Sequence, residues 1–163
     1  MQPKIRSLQP ADLASVVSLM REFASFENLS DFCTVTVERL DAAMFGDDAV
    51  VEGLIAFDDQ IPVAYALFYP NFSSFRGQRG LYLEDIYIND KYRGIGLGEN
   101  MVKEIARMAA SRGFERIDFL VLDWNTPAVK FYNKLGAIRD GEERHFKFTD
   151  EAFIKLASQD DAF

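Results

Sequence analysis

Residues 93–98 are the part of the sequence whose residue types and spacing point most directly to chemistry. They read Arg-Gly-Ile-Gly-Leu-Gly, and a segment with helical periodicity follows them. Glycine carries no Cβ, so the backbone here can approach a ligand closely. The N-terminus of the following helix would present N–H groups to an anion and stabilise it through the helix dipole. The segment therefore predicts a cradle for a pyrophosphate, and a flexible strand-to-helix turn without a ligand is the alternative.

Two common nucleotide-binding motifs do not fit this segment. A P-loop ends in Gly-Lys-Ser/Thr, whereas Gly98 is followed by Glu99 and Asn100. A dinucleotide-binding Gly-x-Gly-x-x-Gly motif would need a third glycine at Glu99 or Met101, depending on which glycine starts it. The cradle therefore belongs to neither class.

The elements that position the cradle follow from the hydrophobic pattern. Residues 80–89, rich in Leu, Tyr and Ile, predict a strand that leads into the glycine segment, and residues 99–111 predict the helix after it. We predict further strands over residues 4–8, 50–57, 61–69, 116–122 and 144–149, a helix that starts at residues 10–12, and helices over 37–45, 126–135 and 150–157. Strands 50–57, 61–69 and 80–89 suggest an antiparallel meander. The order predicts one α/β or α+β domain over residues 1–163, with a mixed sheet.

Composition narrows the classes of partner. A formal net charge of −8 argues against nucleic acid and would attract a cationic substrate, although excess acid can also serve solubility alone. We see no secretory signal and no apolar stretch near the roughly 20 residues that span a bilayer, so we expect a cytoplasmic protein without a membrane partner. The single cysteine, Cys33, and single histidine, His145, argue against a disulfide and a metal site.

Three segments together resemble the Gcn5-related N-acetyltransferase family. Residues 93–98 resemble its acetyl-CoA pyrophosphate loop, Arg-x-x-Gly-x-Gly. Residues 82–87, Tyr-Leu-Glu-Asp-Ile-Tyr, resemble the strand before that loop, and residues 122–137, which include Trp-Asn-Thr-Pro and Phe-Tyr, resemble its second cofactor segment. Within the family, the sequence is similar to diamine (spermidine/spermine) acetyltransferases and to thialysine-acetylating relatives. The resemblance implies a mostly antiparallel central sheet flanked by helices, acetyl-CoA as co-substrate, and a homodimer.

The same resemblance implies a set of contacts to acetyl-CoA. Glu99 departs from the small polar residue expected beside the pyrophosphate, so its carboxylate must point away from the phosphates. The implied contacts are Ile86, Tyr87, Ile88, Arg93, Gly94, Ile95, Gly96, Leu97, Gly98, Glu99, Asn125, Thr126, Pro127, Ala128 and Tyr132.

Two residues are candidates for proton transfer. An alkylamine has a pKa of about 10.4 and must lose a proton before it attacks a thioester. Glu84, on the strand before the loop, is the candidate base. The alternative is that Glu84 is only a solvent-facing acid. The resemblance implies that Tyr132 protonates the leaving thiolate, and we expect Phe131, rather than Tyr132, to lie in the core. Asp85 would face the opposite side of a regular strand, unless a bulge changes the alternation.

The resemblance also implies substrate-binding positions, because a dication is best held by acids at separated points. Glu27 and Glu143 could equally be solvated surface acids. Polyamines or diamines are the leading substrates, and a lysine-like amino acid such as thialysine is the alternative. A peptide lysine, an N-terminal amine and a non-catalytic acyl-CoA-binding module remain open. The implied substrate-binding residues are Phe26, Glu27, Glu84, Asp85, Asp118, Phe119, Leu120 and Glu143.

Overall fold

Five strands of the described chain form one sheet in the order β1-β2-β3-β4-β5. The computed structural model describes residues 3–141 and 145–158. The strands are β1 (Lys4–Ser7), β2 (Glu52–Asp58), β3 (Ile61–Ser73), β4 (Gln78–Ile88) and β5 (Arg116–Phe119). Neighbouring strands from β1 to β4 are antiparallel, and β4 and β5 are parallel. The sheet is therefore mixed and mostly antiparallel.

The helices are α1 (Leu13–Phe26), α2 (Val37–Phe45), α3 (Leu97–Ser111), α4 (Thr126–Lys134) and α5 (Asp150–Ala157). α3 buries Leu97, Met101 and Ile105 against one face of the sheet, which contributes Phe68 and Leu81. α1 and α2 cover the opposite face, where Val16 and Leu40 join a second apolar cluster with Ile55 and Tyr65. The predicted fold class, a mixed sheet flanked by helices, is confirmed. No helix among the described residues is both long and apolar enough to span a bilayer.

The chain divides into two compact units, Met1–Trp124 and Asn125–Phe163. The first contains the sheet with α1, α2 and α3, and the second contains α4 and α5. A single domain over the whole chain remains a prediction.

The predicted strand over residues 144–149 is wrong for its described part. Residues 145–149 pair with no strand of the described chain, and Phe146 and Phe148 are 85% and 68% exposed. Apolar and polar residues alternate in this segment, but alternation produces a strand only where a neighbouring strand pairs with it and its apolar face is buried. β3, in contrast, runs beyond its predicted end through Pro70. Its pairing with β2 stops at Phe68, so the missing N–H of the proline costs no bond to that neighbour.

Gly80 lies on β4 between β3 and β5, where a side chain would have no room. It pairs with Asn71 on β3 and with Arg116 on β5. The Arg116 guanidinium donates to Asp118 at 2.7 Å, and the Asn71 amide donates to the same carboxylate at 2.7 Å. These hydrogen bonds hold the pKa of Asp118 below its ordinary value. A Cβ on Gly80 would lie 2.7 Å from the Arg116 carbonyl oxygen, so the three-strand contact requires glycine.

We predict that Gly80→Ala lowers the free energy of unfolding by about 1–3 kcal/mol, the usual range for overpacking. The added methyl would clash with backbone on β5, which cannot rotate away as a side chain can. Urea denaturation would measure the change. Gly141→Ala is a suitable control, because no described atom lies within 4 Å of its Cβ position. Equal stability of the two variants would mean that β5 yields freely at Gly80.

Candidate active site

A β-bulge in β4 determines where its two acidic residues point. Leu67 pairs with Asp85, whereas the next residue, Phe68, pairs with Leu83, so Glu84 is the extra residue. Leu83 faces α3, and so does Ile86, although regular alternation would place them on opposite faces. The bulge therefore directs Glu84 and Asp85 to the same face, the one that α1 covers. β4 is therefore not the regular strand that would direct Glu84 and Asp85 to opposite faces.

Glu84 lies at the exposed end of this arrangement. Its Oε2 accepts a hydrogen bond from the Tyr69 hydroxyl at 3.0 Å. The Tyr69 ring stacks on Tyr82 with 5.3 Å between ring centroids. An exposed carboxylate with one phenol donor can still accept a proton from a ligand or from a water.

Asp85 lies deeper, beside the apolar cluster under α1. Its Oδ2 accepts a hydrogen bond from the Tyr65 hydroxyl at 3.1 Å. Burial raises the pKa of Asp85 to about 6, and the charge of Glu84 adds to the rise, whereas the Tyr65 hydrogen bond opposes it. Burial, followed by the negative charge of Asp85, raises the pKa of Tyr65 far above its ordinary range. Tyr65 is thus a permanent hydrogen-bond donor to Asp85.

Glu27, the residue after α1, completes a group that we call the acidic cluster: Glu27, Glu84 and Asp85. Burial raises the pKa of Glu27, and the charge of Asp85 raises it further. Electrostatic coupling links Asp85 to each of the other two acids. Three carboxylates, of which Asp85 interacts with both others, favour a ligand that carries positive charge at more than one point.

The glycine loop has the geometry that a pyrophosphate cradle needs. Gly94 and Gly96 have φ angles of 77° and 86°, in the left-handed region that favours glycine. No described atom lies within 4 Å of the Cβ position of either residue, so the space beside the loop is open. α3 begins at Leu97 and directs its first N–H groups toward the loop. The residues present therefore fit a bound pyrophosphate.

Glu99, the acid in this helix's first turn, is directed along the helix. Its carboxylate forms an ion pair with Lys103, one turn further toward the C-terminus, at 2.6 Å. The pair draws the negative charge of Glu99 away from the glycines and partly neutralises it.

Arg93 fixes the loop to the rest of the first unit. Its Nε donates to the Ile88 carbonyl at 2.9 Å, and its Nη1 forms an ion pair with Asp90 at 2.7 Å. The guanidinium also lies over the Phe26 ring, 4.7 Å from the centroid, and Phe26 packs near Trp124 at 5.9 Å. Arg93 therefore joins the loop to the end of α1, immediately before Glu27. A contact of Arg93 with the cofactor stays a prediction.

The end of β4 offers backbone donors beside the loop. Pairing with β5 stops, among described residues, at Leu83 and Phe119. The Asn89 N–H donates to Val63 on β3, so alternation directs the N–H groups of Ile86 and Ile88 away from β3.

Ile95 and Leu120 are exposed. Phe119 packs against the α3-side core.

The Tyr87 side chain points away from this edge, toward α1. Its ring stacks on Phe23, and its hydroxyl donates to Glu22 at 3.3 Å. Asp118 is engaged with Arg116 and Asn71 and lies apart from the acidic cluster's hydrogen bonds.

The second unit carries the remaining candidates. Asn125 caps α4, because its side-chain oxygen accepts a hydrogen bond from the Ala128 N–H at 3.2 Å, and Thr126 and Pro127 form the first turn. Tyr132 is 9% exposed, and burial raises its pKa to about 12. Phe131 is the more exposed of the two rings, so the expectation that Phe131 and not Tyr132 lies in the core is wrong. Glu143 lies outside the described residues.

Sequence reasoning missed Tyr65 and Tyr69 as partners of the two acids. Both tyrosines are on β3, four residues apart, and therefore share a face. Their spacing is visible in the sequence, but it is also typical of core packing, and the acids they contact are 15 and 20 residues away. Only the bulge brings both acids to that face.

Comparisons with known proteins agree with this geometry. A family model described as acetyltransferase (GNAT) family matches residues 17–137. Thialysine N-epsilon-acetyltransferase of Bos taurus is 36% identical over 166 residues, covering 95% of this chain and 97% of that protein. Spermidine/spermine N(1)-acetyltransferase-like protein 1 of Homo sapiens is 31% identical over 164 residues, which are 94% of this chain and 24% of that protein.

Solved structures share the fold at lower identity. An integron cassette protein from the mobile metagenome of V. cholerae has a TM-score of 0.82 at 21% identity, covering 98% of this chain and 99% of that one. Ribosomal-protein-alanine N-acetyltransferase from Brucella melitensis biovar Abortus 2308 has a TM-score of 0.72 at 22% identity, covering 91% and 100%. With a family model over most of its length and a relative aligned end to end, this chain belongs to the GNAT family of acetyltransferases.

Proposed function

We propose that this acetyltransferase transfers an acetyl group from acetyl-CoA to a primary amine of a small dicationic acceptor, with polyamines and diamines as the leading class. The observation that carries the proposal is the acidic cluster on the α1 side of the strand that leads into the glycine loop. In this proposal the loop and the α3 N-terminus bind the pyrophosphate. The cluster binds the acceptor at the bulge of the same strand, a few residues before the strand ends.

Glu84 is the proposed proton acceptor. An alkylammonium with a pKa of about 10.4 requires roughly 4 kcal/mol for deprotonation near pH 7.4. Glu84 is exposed, so it can take that proton directly or through one water. Its hydrogen bond from Tyr69 orients the carboxylate before the amine arrives.

The amine then attacks the thioester carbonyl directly, without an acyl-enzyme. The new N–C bond forms, the C–S bond breaks, and the carbonyl oxygen carries negative charge in between. The N–H groups of Ile86 and Ile88, directed away from β3, are the proposed donors to that oxygen. Tyr132, whose raised pKa keeps it protonated at neutral pH, is the proposed donor to the departing thiolate.

Asp85 and Glu27 would bind the second positive charge of the acceptor. Asp85 and Glu27 are coupled and partly buried, so a cation beside them would relieve their mutual repulsion. A monoamine would leave this repulsion in place. This contrast favours an acceptor with two ammonium groups.

A lysine-like amino acid such as thialysine is the second candidate. Its support is the similarity to thialysine N-epsilon-acetyltransferases of Bos taurus and Sus scrofa, each 36% identical to this chain. Such an acceptor also carries two ammonium groups, but it adds an α-carboxylate that would lie near the acidic cluster. The resulting repulsion favours the diamine. Initial rates with putrescine, spermidine, thialysine and a lysine peptide would decide between the candidates.

We predict that Gly96→Asp raises the Kd for acetyl-CoA at least about tenfold, which is about 1.4 kcal/mol. The φ angle of 86° would be strained by any side chain, and the added carboxylate would repel the phosphates. Isothermal calorimetry on the folded variant would measure the change. Gly141→Asp adds the same charge elsewhere and serves as the control. Unchanged affinity for Gly96→Asp would contradict the cradle assignment.

We predict that Tyr132→Phe lowers kcat by about 10²-fold or more, the range expected for a lost general acid. Acetyl-CoA affinity should change little, because the ring that packs in the second unit is kept. Steady-state kinetics at saturating amine, with a thermal unfolding control, would test this. A kcat within about twofold of wild type would mean that Tyr132 serves packing alone.

We predict that kcat/KM for spermidine or a diamine exceeds that for a monoamine of similar length by at least about tenfold. Partly desolvated ion pairs between the ammonium groups and the acids would supply this difference in kcat/KM. Added salt should reduce the difference, because it screens the solvent-exposed part of the attraction. Glu27→Gln should raise the KM for the dication more than that for the monoamine. Initial rates on matched amines at two ionic strengths would measure this. Equal use of the monoamine would refute the dication assignment, and faster use of thialysine would favour the second candidate.

A further inference from the structure

Tyr65 has a polar group in a place where packing alone would need none. Its ring is 0% exposed and belongs to the apolar cluster under α1 and α2. A phenylalanine would fill nearly the same space. The hydroxyl, however, reaches Asp85 Oδ2 at 3.1 Å, as a buried phenol requires a partner.

We propose that Tyr65 is a positioning residue for the acceptor amine: its hydroxyl fixes Asp85 as an oriented, ionised carboxylate facing the acceptor. This inference rests on the proposed function, because it concerns the binding of the cationic acceptor. Tyr65 itself lies behind Asp85 and acts through it.

The charges around Asp85 explain why such a donor is needed. The charge of Glu84 on β4 disfavours a negative charge on Asp85. Asp85 in turn raises the pKa of Glu27, after α1. From β3, the Tyr65 hydroxyl is the group that stabilises the ionised form. Cys33, in the α1–α2 connection, interacts electrostatically with Tyr65. Asp85 has a pKa of about 6 with this hydrogen bond in place. Without the bond the pKa would be higher, so Asp85 would be ionised only at higher pH.

The neighbouring pair, Tyr69 with Glu84, shows why the two tyrosines differ. Glu84 is exposed, so water can replace the Tyr69 hydroxyl if that is removed. Asp85 is largely buried, and a water has less access to take the place of the Tyr65 hydroxyl. The deeper tyrosine should therefore control acceptor binding, and its loss should appear in KM.

Tyr65→Phe tests the inference. We expect the KM for the preferred amine to rise about fivefold or more at pH 6.5, with kcat little changed. By pH 9 the KM should return to within about twofold of wild type. The free energy of a hydrogen bond to a charged group is large enough to account for a change of this size. The sign follows from Asp85, whose charge the variant recovers only as pH rises. Tyr92→Phe removes another tyrosine–carboxylate bond, to Asp58 at 2.9 Å, and should keep the wild-type pH profile of KM.

A double-mutant cycle separates positioning from packing. If Tyr65 acts through Asp85, Tyr65→Phe should have no further effect on KM in an Asp85→Asn background. An equal effect in both backgrounds, or a rise in KM that does not depend on pH, would overturn the inference. If Tyr65→Phe does not fold, Asp85→Asn alone should give a raised KM that lacks the wild-type pH dependence between about pH 5 and 7, the range in which Asp85 titrates. A wild-type KM and profile for that variant would also overturn the inference.

A readout without substrate keeps the two proposals distinguishable. The titration of Asp85 can be followed by carboxyl carbon NMR, and its midpoint should rise in Tyr65→Phe. An unchanged midpoint would refute the role of Tyr65 even if amines are acetylated. A raised midpoint in an enzyme that acetylates no amine would show that Tyr65 stabilises ionised Asp85, but it would refute the proposed function and with it the role in acceptor binding.

Discussion

The bulge at Glu84 is the constraint on which the candidate site depends. A regular β4 would direct one of its two adjacent acids into the apolar core under α3. With one extra residue, the strand keeps Leu83 and Ile86 in that core and directs both acids to the α1 face. The same strand thus completes the core and presents two carboxylates side by side. Bulges of this kind commonly re-aim side chains near active sites.

Placing acids together is costly, and the surroundings show how the cost is limited. Asp85 and Glu27 are partly buried. The charge of Asp85 raises the pKa of Glu27, and the charge of Glu84 raises the pKa of Asp85. The hydroxyls of Tyr65 and Tyr69 on β3 offset part of this repulsion, because they donate hydrogen bonds to Asp85 and Glu84. Among the described residues, the hydrogen bonds of the acidic cluster come from phenols and not from a cationic side chain. That leaves the attraction available for a ligand. By contrast, Asp118 has its own arginine and asparagine partners, so its charge is already compensated.

Local sequence patterns predicted most elements but not the relations between them. α2 and α5 begin and end at the predicted residues. The glycine loop was predictable because its residue types are tied to backbone geometry. The bulge was not, since periodicity of two assumes a regular strand. The pairing of Tyr65 with Asp85 depends on register, and residues 145–149 show that alternation alone does not produce a strand. The burial of Tyr132 likewise depends on contacts that a helix pattern does not specify.

The two halves of the proposed reaction share one continuous piece of backbone. The acids lie on the bulged part of β4, and the glycine loop begins five residues after its last strand residue. Arg93 binds the Ile88 carbonyl and packs on Phe26, so the loop is held against both β4 and the helix end that carries Glu27. A displacement of the loop would therefore be felt at both. If acetyl donor and amine bind at these two places, β4 and the end of α1 together set their separation. A fixed separation suits direct transfer, in which the nucleophile must meet the thioester without a covalent carrier.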